Sequence, residues 1–299
     1  MNYNKTFRIL FALFIASNSL CAQIFSDQAL QPERMMQNVQ FSPIFHQYSD
    51  STRLSVKQSL AHTANYVFED VKSLYSAPLR MNKKAALWLT GTAAVGGLMY
   101  WKDQEIHDGF HDLRRYRFYR EHILDAAYDV EKFGLYANVG NYYLGAFAVS
   151  TLFKIKPVQQ ASFELMETFF LATFLRGIIS QTTKRARPYL GLGPHEWGVE
   201  GSYSFPSGHT STIFQFAVIA SHHTNYKPAT FLYYSVATLV GIQRIDHDQH
   251  WPSDVVLGAA YGILFAKGVL RLHENRELNF LPTIGFRNRT ALIGVKIPF

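Results

Sequence analysis

Six apolar stretches of helical length, 85–101, 134–153, 161–180, 210–221, 229–242 and 253–270, leave this 299-residue chain little choice but an all-α core. Each is too long and too evenly apolar for a strand, and none shows the strict two-residue alternation of a half-buried one. The third carries Glu164, Glu167 and Arg176, which hydrocarbon tolerates poorly. The first is only marginally long enough to cross a bilayer. Helices of this kind are expected to bury against one another, giving a helical bundle of about six core helices.

Upstream, 54–74 places Leu54, Val56, Leu60, Ala61, Ala64, Val67, Phe68, Val71 and Leu74 mostly three or four apart, an amphipathic helix. Stretch 23–50 is polar and aperiodic and reads as an extended arm. Downstream, 278–286 and 290–299 are strand-like, with Ile293, Val295, Ile297 and Phe299 alternating in the second. The terminal aromatic resembles the ending of outer-membrane barrel proteins, but one hairpin cannot close a barrel. The expected organisation is therefore a leader over 1–22, an arm and amphipathic helix over 23–80, the helical domain over 81–275, and a small C-terminal β-hairpin within 276–299.

Three clusters of cations and histidines fall at the ends of the apolar stretches. They are Lys184-Arg185-Ala186-Arg187-Pro188, then Ser204-Phe205-Pro206-Ser207-Gly208-His209, then Arg244 with His250 and Asp254. Phosphoryl transfer spreads negative charge over equatorial oxygens, so its catalysts need fixed positive charge and N–H donors. Arg187 and Arg244 supply planar, permanently protonated forks. Ser207 and Gly208 precede a helix, whose first N–H groups form an anion site. The four-residue spacing of His250 and Asp254 can set a carboxylate on one imidazole nitrogen and leave the other free to attack phosphorus. His209 is then available as the acid for the leaving oxygen.

In that order the clusters resemble the three-part signature K-x6-R-P, P-S-G-H and S-R-x5-H-x3-D of the type 2 phosphatidic acid phosphatase and vanadium haloperoxidase superfamily. The resemblance implies a helical bundle with its phosphate site where helix termini meet. It also implies His250 as the nucleophile that becomes a phosphohistidine, Asp254 as its orienting group, and His209 as the acid. Arg187, Ser207, Gly208 and Arg244 are implied as the phosphate ligands. Two positions depart from the signature. Ser180 stands where the first-motif lysine belongs, and Gln243 where the serine before Arg244 belongs. Arg176, Ser180, Lys184 and Arg187 follow one another by four, four and three, so on a continuous helix Arg176 or Lys184 reaches the missing lysine's place.

The expected activity is metal-independent hydrolysis of a phosphate monoester or diphosphate. A lipid phosphate is the favoured substrate class and a small soluble ester the next. A vanadate-dependent haloperoxidase shares the same pocket chemistry, and Ser180 leaves a noncatalytic phosphate-binding envelope protein as a reading of another class.

Lys5 and Arg8, the apolar run 9–15 and Leu20-Cys21-Ala22 before Gln23 read as a cleaved secretory signal. Export places the chain in the periplasm or against a membrane, with an integral bundle as the alternative. Cleavage would remove Cys21, the sole cysteine, and with it any disulfide or zinc-thiolate chemistry. Lysine plus arginine falls from 29 to 27 against 22 acids, a net of +5. That mild excess suits an anionic membrane surface or phosphorylated substrates and is too weak for nucleic acid; no Gly-rich nucleotide loop is present. Arg114 to Arg120 interleaves cations with rings, suited to lipid head groups or to an exposed helix that packs its tyrosines. His107, His111 and His122 suggest a metal, but no carboxylate with matching spacing is evident, so neither metal nor cofactor is expected.

Overall fold

The computed structural model describes residues 68–69, 71–76, 82–131, 136–275, 281–287 and 290–296. The leader, the arm and most of the predicted amphipathic helix lie outside them. The described chain is mostly helical: α1 (Lys83–Trp101), α2 (Asp103–Leu113), a π-helical turn (Tyr119–Leu124) running into α3 (Asp125–Glu131), α4 (Tyr136–Leu152), α5 (Lys156–Thr183), α6 (Gly208–Thr224), α7 (Lys227–Asp246) and α8 (Pro252–Asn275). Beyond them Leu281–Arg287 pairs antiparallel with Thr290–Lys296.

Local chemistry sets the helix ends. Asn82 caps α1 by accepting from the Ala85 N–H at 2.8 Å. Pro157 and Pro228 sit in the first turns of α5 and α7, where a missing N–H costs nothing. α5 ends at Lys184 and α6 at Asn225, both in the left-handed region at φ 45°, each N–H closing on the carbonyl four residues back.

Two apolar clusters hold the bundle. One, around Phe214, Ile219, Val240 and Ile263, joins α4 to α8; the other, around Ile106, Phe110, Ile245 and Val255, ties α2 and the π-turn to the end of α7 and the start of α8. α2 and the π-turn with α3 were not among the six expected segments. They are too polar to register as apolar runs, yet Ile106, Phe110, Tyr119 and Leu124 are all buried. Arg114 grips the buried Asp246 carboxylate, with Nε 2.9 Å from Oδ1, while Arg117 pairs with Glu121 at 2.7 Å.

The contact that positions the site is between α6 and α8. A Cβ on Gly262 would lie 2.2 Å from the Ser211 carbonyl oxygen, and one on Gly258 would lie 2.7 Å from that of Ser207. Only glycine permits this approach. It brings the start of α8 against the start of α6, so the second and third motifs meet.

Toward the other ends of α5, α6 and α8 lies a buried polar cluster. His223 Nε2 is 2.6 Å from Glu164 Oε2, and His273 bridges Glu164 at 3.2 Å and Glu167 at 2.9 Å. Burial pushes the Glu164 carboxyl up, but the two histidines outweigh it and hold it down at about 2. The glutamates likewise overcome burial at His273 and raise it to about 9. The two glutamates that argued against a lipid-facing third helix are thus paired inside the bundle.

Among the described residues one helix, Pro252–His273, is long and apolar enough to cross a membrane, with a mean hydropathy of 1.6 and 56% of its window buried.

Candidate active site

His250 lies just upstream of α8 and is buried among cations. Its Nδ1 is 2.7 Å from the Ser204 carbonyl oxygen. A carbonyl has no proton to give, so Nδ1 carries the hydrogen and, in the neutral ring, Nε2 keeps its lone pair. Burial, then Arg187, Arg244 and His209, push the imidazole well below its ordinary pKa. The ring is therefore neutral at pH 7.

Asp254 does not occupy the ring nitrogen. Its Oδ2 accepts from Ser204 Oγ at 2.5 Å and from the Trp251 N–H at 3.0 Å, and its Oδ1 accepts from Arg185. α8 starts at Pro252, after the histidine, and the spacing does not bring the carboxylate onto the ring. Asp254 instead braces the segment whose carbonyl holds the ring.

Arg185 was not singled out by sequence reasoning. One cation of the first cluster, it is fully buried. It donates to Asp254, to Asp103 Oδ2 at 2.6 Å, to Ser253 Oγ at 2.9 Å and twice to the Pro194 carbonyl. Asp103 also accepts from the Ser253 N–H at 2.8 Å. Burial raises the Asp103 carboxyl to about 6 against the pull of Arg185. The break in helix after Thr183 removes Lys184 to Arg187 from the α5 face.

That break also separates the two substitutes for the missing lysine. Ser180 is buried, donates to the Phe205 carbonyl at 2.9 Å and accepts from Arg176 at 3.2 Å. The Arg176 guanidinium lies against the start of α6, where a Cβ on Gly208 would be 3.2 Å from its Cζ. Lys184 has left the helix and pairs with Glu200.

The remaining predicted residues converge. Ser207 caps α6 and lies 2.9 Å from Thr210 Oγ1, and its N–H donates to the Asp254 carbonyl at 3.1 Å. Arg187 is partly buried and donates to Gln249 Oε1 at 2.7 Å. Arg244 is buried and donates to Glu131, and its backbone carbonyl accepts from the His250 N–H at 3.2 Å. Gln243, in the place of the signature serine, turns to His247 Nδ1 at 2.6 Å. Burial, then Arg244, Arg187 and Arg176, lower His209 to about 4. Two neutral imidazoles among three guanidinium groups at a helix N-terminus make a site for a tetrahedral oxyanion.

Residues 161–278, which hold all three motifs, match the family model of the PAP2 superfamily. Among curated proteins, the lipid A 1-phosphatase of Porphyromonas gingivalis is 46% identical over 65 residues, covering 20% of this chain and 14% of that protein. An uncharacterized protein of Methanocaldococcus jannaschii is 32% identical over 82 residues, 27% of this chain and 33% of that one. The matched stretches thus span a third or less of either relative. Among solved structures, the transmembrane PAP2-type phosphatidylglycerolphosphate phosphatase of Bacillus subtilis aligns over 73% of this chain and 96% of its own, at 17% identity and a TM-score of 0.42.

Proposed function

We propose that this chain hydrolyses a phosphate monoester or diphosphate carried by a lipid, through a phosphohistidine on His250. The observation that carries this is the convergence of Arg187 and Arg244 on both His209 and His250, with Arg176 also facing His209. A phosphoryl group seated among the arginines presents phosphorus to His250 Nε2. A P–N bond forms as the ester P–O bond breaks, and His209 gives its proton to the departing oxygen. Water then attacks the phosphohistidine, returns a proton to His209 and releases inorganic phosphate. In the empty pocket His209 is neutral at pH 7, because burial and the arginines hold it near 4. A phosphate dianion cancels that field, so His209 takes up its proton as substrate binds. The steps as written use no metal.

The lipid class is supported by the relationship to a lipid A 1-phosphatase and by the segment after Arg187. There Tyr189, Leu190, Leu192 and Trp197 are exposed, and Trp197 packs edge-on to Phe205 beside the second motif. An apolar rim beside a cationic pocket suits a phosphate on an acyl-bearing scaffold. The enzyme is read as exported and working at a membrane surface.

Phosphate release should be measured over lipid A, polyprenyl diphosphate, phosphatidic acid and small soluble phosphomonoesters. The lipid phosphates are expected to show the larger kcat/KM. Equal or greater turnover of soluble esters would overturn the lipid assignment, and halide oxidation with vanadate and peroxide in place of hydrolysis would overturn the hydrolase.

Arg176 takes the missing lysine's part in this reading. Arg176→Ala is expected to cost about 2–4 kcal/mol in kcat/KM, the scale for losing one charge-stabilising donor, and Ser180→Lys to restore part of it. Lys184→Ala is expected to leave kcat/KM within about twofold, since its loss removes only an exposed ion pair with Glu200. The reverse order of effects would assign the role to Lys184.

A further inference from the structure

Two of the three histidines noted in the sequence acquire a carboxylate only in the fold. His107 and His111 stand one turn apart on α2 with ring centroids 4.5 Å apart. Asp248, in the turn between α7 and α8, presents Oδ1 to both: 2.7 Å from His107 Nε2 and 3.0 Å from His111 Nε2. The third histidine, His122, stacks on Phe118 instead.

We propose that His107, His111 and Asp248 bind one divalent transition-metal ion of the zinc class, a site separate from the phosphate pocket. The three donor atoms all lie within 4.8 Å of one another. Two imidazoles and one carboxylate are a donor set that zinc accepts, with ligands at about 2.0–2.2 Å. Such ligands around a tetrahedral ion sit about 3.4 Å apart. The donors therefore need part by only about half an ångström to admit an ion.

Three further features favour a metal over a plain hydrogen-bonded cluster. The His107 ring is buried, and its Nδ1 makes no hydrogen bond but faces Asp108 Oδ1 at 3.6 Å, as an outer carboxylate faces a metal-bound imidazole. Asp248 adopts the left-handed conformation at φ 58°, and the Tyr189 N–H fixes its carbonyl at 3.1 Å. His111 and Asp248 keep about a third of their side chains exposed, which gives an ion both a path in and a position open to water.

The ion would tie α2 to the turn that carries His250. Asp248 is two residues before it, and the His107 ring lies 5.3 Å from that of Trp251, the residue after it. The inferred role is to hold that turn, with no part in the phosphoryl step.

The test uses the full chain without a histidine tag, stripped with a chelator and titrated with Zn²⁺ against a chromophoric competitor. Wild type is expected to take up one equivalent and to gain in Tm. His111→Gln, and Asp248→Asn, in which asparagine tolerates the left-handed backbone, should each weaken Kd by more than about tenfold, the scale on which even an outer partner counts. Both should keep the metal-free Tm while losing the zinc-dependent rise, and His122→Gln should match wild type in Kd. Absence of stoichiometric binding by wild type, or unchanged Kd in both site variants, would overturn the site and reduce the cluster to hydrogen bonds.

Discussion

Replacing His250 with alanine is expected to reduce phosphate release by about 10⁴-fold or more, the scale on which loss of a covalent nucleophile falls. The effect is large because the three arginines supply charge but no lone pair at pH 7, and His209 is committed to protonating the leaving oxygen. The fold should survive. The deletion leaves the Ser204 carbonyl without its partner, at a cost of about 1–3 kcal/mol. Rapid acid-free quenching of wild type with phosphate-labelled lipid should trap label on the chain, absent from His250→Ala. Turnover by the variant within tenfold of wild type would remove the phosphohistidine.

The second large effect is expected at Arg185. Arg185→Met deletes the cation between Asp103 and Asp254 while keeping much of the apolar volume against Tyr100, Trp197 and Trp251. Removing one partner of a buried ion pair costs about 3–5 kcal/mol, because the remaining charge is stranded, and denaturant unfolding at pH 7 should show it. The pH dependence has a definite sign. Arg185 pulls the Asp103 carboxyl down to about 6 from a still higher value set by burial. Without the arginine its folded pKa rises further above the unfolded one, so the folded state binds a proton the unfolded state releases. The variant's stability should therefore increase as pH falls from 8 to 5, and more steeply than that of wild type. Parallel profiles would mean that Arg185 does not compensate the buried carboxylates.

The six apolar stretches correspond to α1 and α4 through α8, and they are visible because those helices are apolar around most of their circumference. α2 and the π-turn escaped because their few apolar residues are separated by charges whose partners, such as Asp246 for Arg114, lie more than a hundred residues away. The motif residues were legible as chemistry, and their partners were not. The spacing argument for Lys184 assumed a continuous helix, which ends at Thr183, and the His250–Asp254 spacing did not foresee the Ser204 carbonyl on the ring. The end of α5 before Lys184 sends that lysine to Glu200. Asp248 is invisible from α2 for the same reason as Asp103 from Arg185: long-range pairing leaves no periodic trace in a single sequence.

The hold on the His250 ring by the peptide oxygen of Ser204 has a consequence for how this site tolerates genetic change. A side-chain orienter can be erased by one codon, whereas a peptide oxygen is present whatever residue stands at 204. The tautomer is thereby placed beyond the reach of point substitution at its own partner, and drift can disturb it only by displacing the loop. Ser204→Ala dissects the two duties of this residue, since it deletes the hydroxyl that reaches Asp254 and leaves the oxygen that reaches the imidazole. The heritable fragility of this centre accordingly lies in its arginines and in the Arg185–Asp254 brace rather than in the acceptor of the imidazole's proton.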